Sequence, residues 1–232
     1  MRFITAALVL AFLAAPAHAG VKEAAAYNAQ KGGVSLVVMK GGEIVFEDYP
    51  NNGGRDKAYE LASCTKSFSG VIAAAAVQDG LLSLDERAAE TLTEWRDDPL
   101  KSQITIRQLL SLTSGVEGGG LFRPPAYAEA VAKPMARKPG AYFEYGPVNF
   151  QIFGEIMRRK LATHEKGRYR DAVDYLQGRI LDPLGIHPAQ WNEKDGQPTL
   201  PSGADLTARE WARFGQFVLA GGNWKGMQLI DP

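Results

Sequence analysis

Two short β-patterned runs near the start of the chain, followed by a long helix-patterned stretch, restrict its fold more than any other feature. Val34 to Met39 is apolar and rich in β-formers, Gly41-Gly42 is a turn signal, and Ile44 to Tyr49 alternates, which together predict a β-hairpin. Asn51-Asn52-Gly53-Gly54 ends the second strand as a loop. From Ser63 the hydrophobic period becomes helical. Phe68, Val71, Ile72, Ala75 and Ala76 share one face, and Gly80 closes the helix. Thr105-x-x-Gln108 reads as a capping box ahead of Leu109-Leu110, with Gly115 as a stop. Gly118-Gly119-Gly120 and Pro124-Pro125 mark a long loop. Val148, Ile152, Phe153, Ile156 and Met157 define a further helix, and Tyr169, Ala172, Val173, Leu176 and Ile180 another. Thr207-x-x-Glu210 starts the last, which is expected to turn Trp211, Phe214 and Val218 inward. A lone hairpin is marginal in water, and nothing in the later sequence reads as its sheet partner. The expected class is α+β: an antiparallel sheet opened by residues 34–49, packed on helices, with a largely helical part over about 80–190 and its C-terminal strands missing. The chain stops at Ile230-Asp231-Pro232, soon after a Gly221-Gly222 turn and a new apolar beginning, as a domain cut short would.

The first residues read as an export signal over residues 1–19. Arg2 supplies the positive charge, Phe3 to Ala15 is almost uninterruptedly apolar, Pro16 breaks the run, and Ala17-His18-Ala19 gives a small-x-small cleavage pattern. The apolar run is shorter than the about 20 residues a membrane span needs. The expectation is an exported protein, periplasmic or secreted, without a stable membrane anchor. Residues 20–232 would then be a partial catalytic domain. The single cysteine, Cys64, permits no internal disulfide. Lys+Arg and Asp+Glu are equal at 26 each, so no basic footprint for nucleic acid is present.

Several catalytic signatures are absent: there is no G-x-S-x-G elbow, no H-E-x-x-H, no phosphate-binding P-loop and no C-x-x-C. No metal or cofactor is implied. A Ser-His-Asp arrangement would need His164, which lies in a charged stretch, or His187, which lies in a turn. What remains is Ser63-Cys64-Thr65-Lys66, an S-x-x-K. On a helix, positions i and i+3 share a face, so the ammonium would sit beside the hydroxyl. Ser63 would open the helix, where unpaired backbone N–H groups favour developing negative charge. Burial would lower the lysine pKa and let Lys66 accept the serine proton or stabilise an anionic base. Taken alone, the spacing is equally that of a capping serine and a solvated lysine.

The surroundings of the motif are more specific. Glu60 to Phe68, followed by Gln78-Asp79-Gly80-Leu81-Leu82-Ser83-Leu84-Asp85-Glu86, strongly resembles the nucleophile region of the class C β-lactamase-related serine hydrolases. Ile104 to Leu110 running to Thr113-Ser114-Gly115 resembles that family's second landmark. Pro139-Gly140, Phe143-Glu144-Tyr145-Gly146 and Asn149-Phe150 resemble the segment of its catalytic tyrosine, and Thr207 to Gly215 a late structural helix. The resemblance spans roughly residues 30–230 and implies a β-lactamase/transpeptidase-like fold. It implies Ser63 as the acylated nucleophile, Lys66 as the buried lysine one turn on, and Tyr145 as proton acceptor or relay. Which of Lys66 and Tyr145 takes the serine proton stays open. A free phenol, with pKa near 10, needs a nearby cation to serve as a base at neutral pH.

Two departures bear on the reaction. The family often carries Tyr-x-Asn, but this chain has Tyr145-Gly146-Pro147, and proline offers no side-chain amide. This favours an esterase- or amidase-like hydrolase of ester, amide or lactam carbonyls over a β-lactamase or D-alanyl-D-alanine peptidase. The substrate would be a small-molecule or peptide-like acyl compound. The family's last motif, Lys-or-His/Thr-or-Ser/Gly on a strand that supplies an oxyanion donor, does not follow Tyr145. Losing one such donor costs about 10²–10³ in rate. The expectation is that the 232-residue chain alone is nearly inactive. A catalytically dead, ligand-binding member of the same fold is the alternative outside enzymes.

Overall fold

A computed structural model describes residues 19–164 and 167–231. The export signal expected over residues 1–19 lies outside the described residues except for Ala19, the first residue of helix α1 (Ala19–Gln30). Strands β1 (Leu36–Lys40) and β2 (Glu43–Asp48) form the expected antiparallel hairpin, with a register shift between Val38 and Met39. Gly41 and Gly42 take φ of 58° and 87°, a two-residue turn whose twist matches the strands and which residues with a Cβ adopt at a cost.

A second sheet was not legible in the sequence. Strand β3 (Ala58–Glu60) follows the Asn51–Gly54 loop. A 3₁₀ turn, Ala62–Lys66, then leads into helix α2 (Ser67–Gln78). The helical part contains α3 (Ile106–Leu110), α4 (Tyr127–Ala132), α5 (Val148–Thr163) and α6 (Ala172–Leu176). A π turn, Gln177–Leu181, and α7 (Asp182–Leu184) complete it. Next come β4 (Gln190–Trp191), β5 (Glu193–Lys194), β6 (Gln197–Pro198) and β7 (Ala204–Thr207). Helix α8 (Ala208–Leu219), β8 (Asn223–Trp224) and β9 (Met227–Gln228) end the described chain. Strand β7 pairs antiparallel with both β3 and β4, in the order β3-β7-β4.

Helix α2 runs through the core. Phe68, Ile72, Ala73, Ala75 and Ala76 are buried on it and share one apolar cluster with Ile152, Phe153 and Ile156 of α5 and Leu176 of α6. The capping boxes at Thr105 and Thr207 form as the sequence implies. Three expectations need correcting. Helix α3 ends at Leu110, ahead of Gly115, because Leu112 turns left-handed at φ 60°. Tyr169 precedes α6, which Asp171 caps, and packs edge-on to Tyr175 at 5.3 Å. On α8 the buried residues are Phe214 and Phe217, while Val218 is 52% exposed. The tip of the hairpin meets the helix at Gln216, whose Oε1 accepts the Gly42 N–H at 3.3 Å.

Helix α8 is also tied to the hairpin by charge. Arg209 donates two hydrogen bonds to Glu47, at 2.6 and 2.7 Å, and Arg55 donates a third at 2.8 Å. These bonds, Arg209's first, hold the Glu47 carboxyl at about 2, well below the ordinary carboxylate range.

Candidate active site

The 3₁₀ turn bearing the S-x-x-K motif is anchored to strand β7. The Leu61 N–H donates to the Ala204 carbonyl at 2.9 Å, and the Ala204 N–H donates to the hydroxyl of fully buried Thr65 at 3.4 Å. Thr65, inside the motif, therefore faces the core, and its neighbours Ser63 and Cys64 face solvent. The chain enters the turn through Ala62 at φ 46°, left-handed for a residue with a Cβ. That conformation costs roughly 1–2 kcal/mol, and strain of this kind gathers at functional sites.

The sequence places Ser63 at the opening of a helix. It sits one turn earlier, in the 3₁₀ segment ahead of α2. The i, i+3 relation survives: Lys66 Nζ donates to Ser63 Oγ at 2.9 Å. The same ammonium donates to the Pro201 carbonyl at 2.8 Å and lies 4.9 Å from the Tyr145 ring centre and 5.8 Å from that of Phe150. Lys66 is half-buried, not buried as the resemblance implies. It is held by these four partners instead of by enclosure.

Tyr145 lies in a loop just before α5 and is 46% exposed. Its phenol is pulled below the ordinary value. The hydrogen bond with Ser63 is the largest cause, and the hydrogen bond and charge of Lys66 add to it against the upward push of burial. The structure thus brings Ser63, Lys66 and Tyr145 together. It does not bring Asn149 to them. Asn149 is buried and accepts a hydrogen bond from Ser114 Oγ at 2.5 Å, bracing α5 against the chain after α3. Pro147 is the N-cap of α5, so the position two after Tyr145 presents no amide side chain. His187 keeps to its turn: its N–H donates to Glu210 at 2.9 Å, and its ring lies 3.8 Å from Asp182. The Pro201 carbonyl and the Phe150 ring were not singled out in the sequence. A backbone carbonyl leaves no residue-type signal, while Phe150 at least stands within the tyrosine landmark.

A serine turn leading into a core helix, antiparallel strands beside it and a helical part carrying the tyrosine define the β-lactamase/transpeptidase-like class. Residues 19–227 match the family description Beta-lactamase, and the chain belongs to that family. It is 28% identical over 198 residues to Lovastatin esterase of Penicillium rubens, covering 72% of this chain and 48% of that protein. It is 26% identical over 155 residues to Protein flp of Staphylococcus aureus, covering 57% of this chain and 31% of the other. The chain thus spans about half the length of the first of these relatives, or less. The structure of a penicillin-binding protein homolog from Caulobacter crescentus superimposes with a TM-score of 0.70 at 21% identity, over 92% of this chain and 72% of that one.

Proposed function

We propose that this protein is a serine hydrolase that forms an acyl-enzyme on Ser63, acting on a carboxylic ester in preference to a lactam. The observation that carries this reading is the Lys66 ammonium, 2.9 Å from Ser63 Oγ and 4.9 Å from the centre of the Tyr145 ring. Ser63 Oγ attacks the substrate carbonyl while its proton passes to the Tyr145 phenolate, which Lys66 steadies. The N–H of Ser63, at the start of the 3₁₀ turn, has no partner within that turn and is an oxyanion donor. The tetrahedral adduct collapses, the C–O bond to the leaving alcohol breaks, and Tyr145 returns the proton to that alcohol. Water then attacks the acyl carbon by the same route and frees Ser63. The proline where a Tyr-x-Asn amide would stand supports an ester or amide over a lactam, and the similarity to Lovastatin esterase supports the ester.

The test is turnover by the whole gene product of a p-nitrophenyl ester against nitrocefin, with intact-mass detection of the adduct. Ester turnover with an adduct absent from Ser63→Ala is expected. Nitrocefin turnover exceeding ester turnover would reassign the substrate to a lactam, and an adduct that survives Ser63→Ala would place the nucleophile elsewhere. We further propose export with cleavage between Ala19 and Gly20, motivated by the charge, apolar run and Ala-x-Ala order of the first residues. N-terminal sequencing of the mature protein is expected to begin at Gly20, and a mature chain that still began at Met1 would overturn it.

A further inference from the structure

Tyr145 sits on a loop, yet its phenol must be held against Ser63 and Lys66. The loop is braced by the chain that follows α3. Residues 112–118 and 134–146 run side by side and are joined by main-chain hydrogen bonds. The Glu117 N–H donates to the Pro134 carbonyl at 3.1 Å, and the Ala136 and Arg137 N–H groups donate to the Gly115 carbonyl at 2.8 and 3.0 Å. Nearer the site, the Gly140 N–H donates to Thr113 at 2.8 Å and the Glu144 N–H to Leu112 at 2.9 Å.

The two residues that flank Tyr145 both grip Gly118. After the tyrosine, the backbone of Gly146 approaches so closely that a Cβ there would lie 2.3 Å from the Gly118 carbonyl oxygen. No L side chain fits that crossing without moving one strand of the pair. Before the tyrosine, half-buried Glu144 reaches across, and its Oε1 accepts the Gly118 N–H at 2.9 Å. A Cβ on Gly118 would itself meet that oxygen at 2.8 Å. Glu144 has no ion-pair partner among the described residues, and its carboxylate accepts a charge-assisted hydrogen bond from a backbone N–H.

We infer that Glu144 is a positioning residue for Tyr145, fixing the phenol against Ser63 and Lys66 through its hydrogen bond to the Gly118 amide. The inference rests on the acyl-enzyme reading above. Glu144 touches neither Ser63 nor Lys66, so its effect on the reaction runs through the loop. Displacing a reacting group by about 1 Å can cost on the order of 10²-fold in rate. Loss of the clasp should therefore lower kcat far more than it raises KM, since it disturbs the reacting atoms more than ground-state binding.

Three substitutions separate the hydrogen bond from the charge. Glu144→Ala removes both. Glu144→Gln keeps an oxygen of the same reach without the charge, and Glu144→Asp keeps the charge but withdraws the oxygen by one methylene. Each is made in the whole gene product and checked for cooperative melting. Two quantities are read: kcat and KM on a p-nitrophenyl ester, and the titration of the Tyr145 phenol by NMR of ring-labelled tyrosine, assigned with Tyr145→Phe. We expect Glu144→Ala and Glu144→Asp to lose about 10–100-fold in kcat with KM within about threefold. In both, the Tyr145 titration should move up toward that of a free phenol. Glu144→Gln should stay within about threefold of the parent and leave the titration in place. If Glu144→Ala fails to fold, the contrast between Glu144→Asp and Glu144→Gln decides alone. Wild-type kcat and titration in Glu144→Ala or Glu144→Asp would overturn the inference, as would Glu144→Gln falling with the others, which would make charge the operative property. The titration needs no turnover. Activity that persists in Ser63→Ala would sink the acyl-enzyme reading and still leave the clasp measurable.

Discussion

Lys66→Ala in the whole gene product is expected to slow acylation of Ser63 by about 10²–10⁴-fold without loss of the fold. An ammonium has three donors. In this site one is spent on Ser63 Oγ and one on the Pro201 carbonyl, and the Tyr145 ring stands on a further side. Truncation at Cβ therefore removes three things together: the group bonded to the serine hydroxyl, the cation that helps lower the Tyr145 phenol, and the tie between the turn bearing Ser63 and the segment ahead of β7. The sign of the pH effect follows. In the proposed reaction Tyr145 accepts a proton only as phenolate, and a phenol pulled below its ordinary value supplies more phenolate near neutrality. In Lys66→Ala the rising limb of the pH–rate profile should move to higher pH, and in Tyr145→Phe it should disappear. Lys66→Arg is not expected to rescue, because a planar guanidinium cannot present a compact point charge to a hydroxyl, a carbonyl and a ring in different directions. Stopped-flow acylation with a p-nitrophenyl ester, followed by intact mass, measures each rate. Acylation of Lys66→Ala at close to the parent rate would remove the lysine from the mechanism.

What the sequence disclosed of this site follows from how local each signal is. The hairpin at residues 34–49 and the capping boxes at Thr105 and Thr207 rest on neighbours in the chain, and each forms where the pattern puts it. Ser63 and Lys66 are three residues apart, so one turn of helical backbone suffices to join them. Strand β7 is different. It is four residues long, and its partners Ala58, Tyr59 and Glu60 come from far earlier in the chain. The alternation of buried Ala204 and Leu206 is too brief to separate from the helix start that follows it. Gly115, placed after the Leu109-Leu110 helix pattern, reads in the sequence as a helix stop. Its actual constraint is a loop crossing, where a Cβ would stand 2.4 Å from the Arg137 carbonyl oxygen. The half-burial of Lys66 was equally out of reach. It depends on Pro201, Tyr145 and Phe150, which belong to two other parts of the chain. Motifs report which side chains do chemistry, whereas the backbone contacts that hold them leave little trace in residue type.

Phe68→Ala is expected to cost about 3–5 kcal/mol of stability, the largest loss for any single truncation considered for this chain. Phe68 lies five positions after Ser63, in the first turn of α2, and is 1% exposed. Its ring centre is 4.5 Å from that of Phe214, 5.4 Å from Trp191 and 5.9 Å from Trp211. One side chain thus joins α2 to α8 and to β4. Aromatic pairs at these separations add to the stabilisation from buried area alone. Its neighbours are bulky rings held by their own bonds, such as Trp191 Nε1 donating to the Thr199 carbonyl at 3.0 Å, so the vacated space cannot collapse cheaply. Phe68→Leu refills part of it and should lose less than half as much. Phe122, 94% exposed, is the matched control, and Phe122→Ala should stay within about 0.5 kcal/mol of the parent. Urea melts read all three, with the m-value as a check that the unfolding transition itself is unchanged. A loss under about 1 kcal/mol for Phe68→Ala would mean that the helix following the Ser63 turn is not held by this aromatic cluster. The burden would then fall on the Thr65 and Leu61 bonds to Ala204, and Thr65→Val, which replaces the hydroxyl with a methyl group, becomes the variant that loosens Ser63.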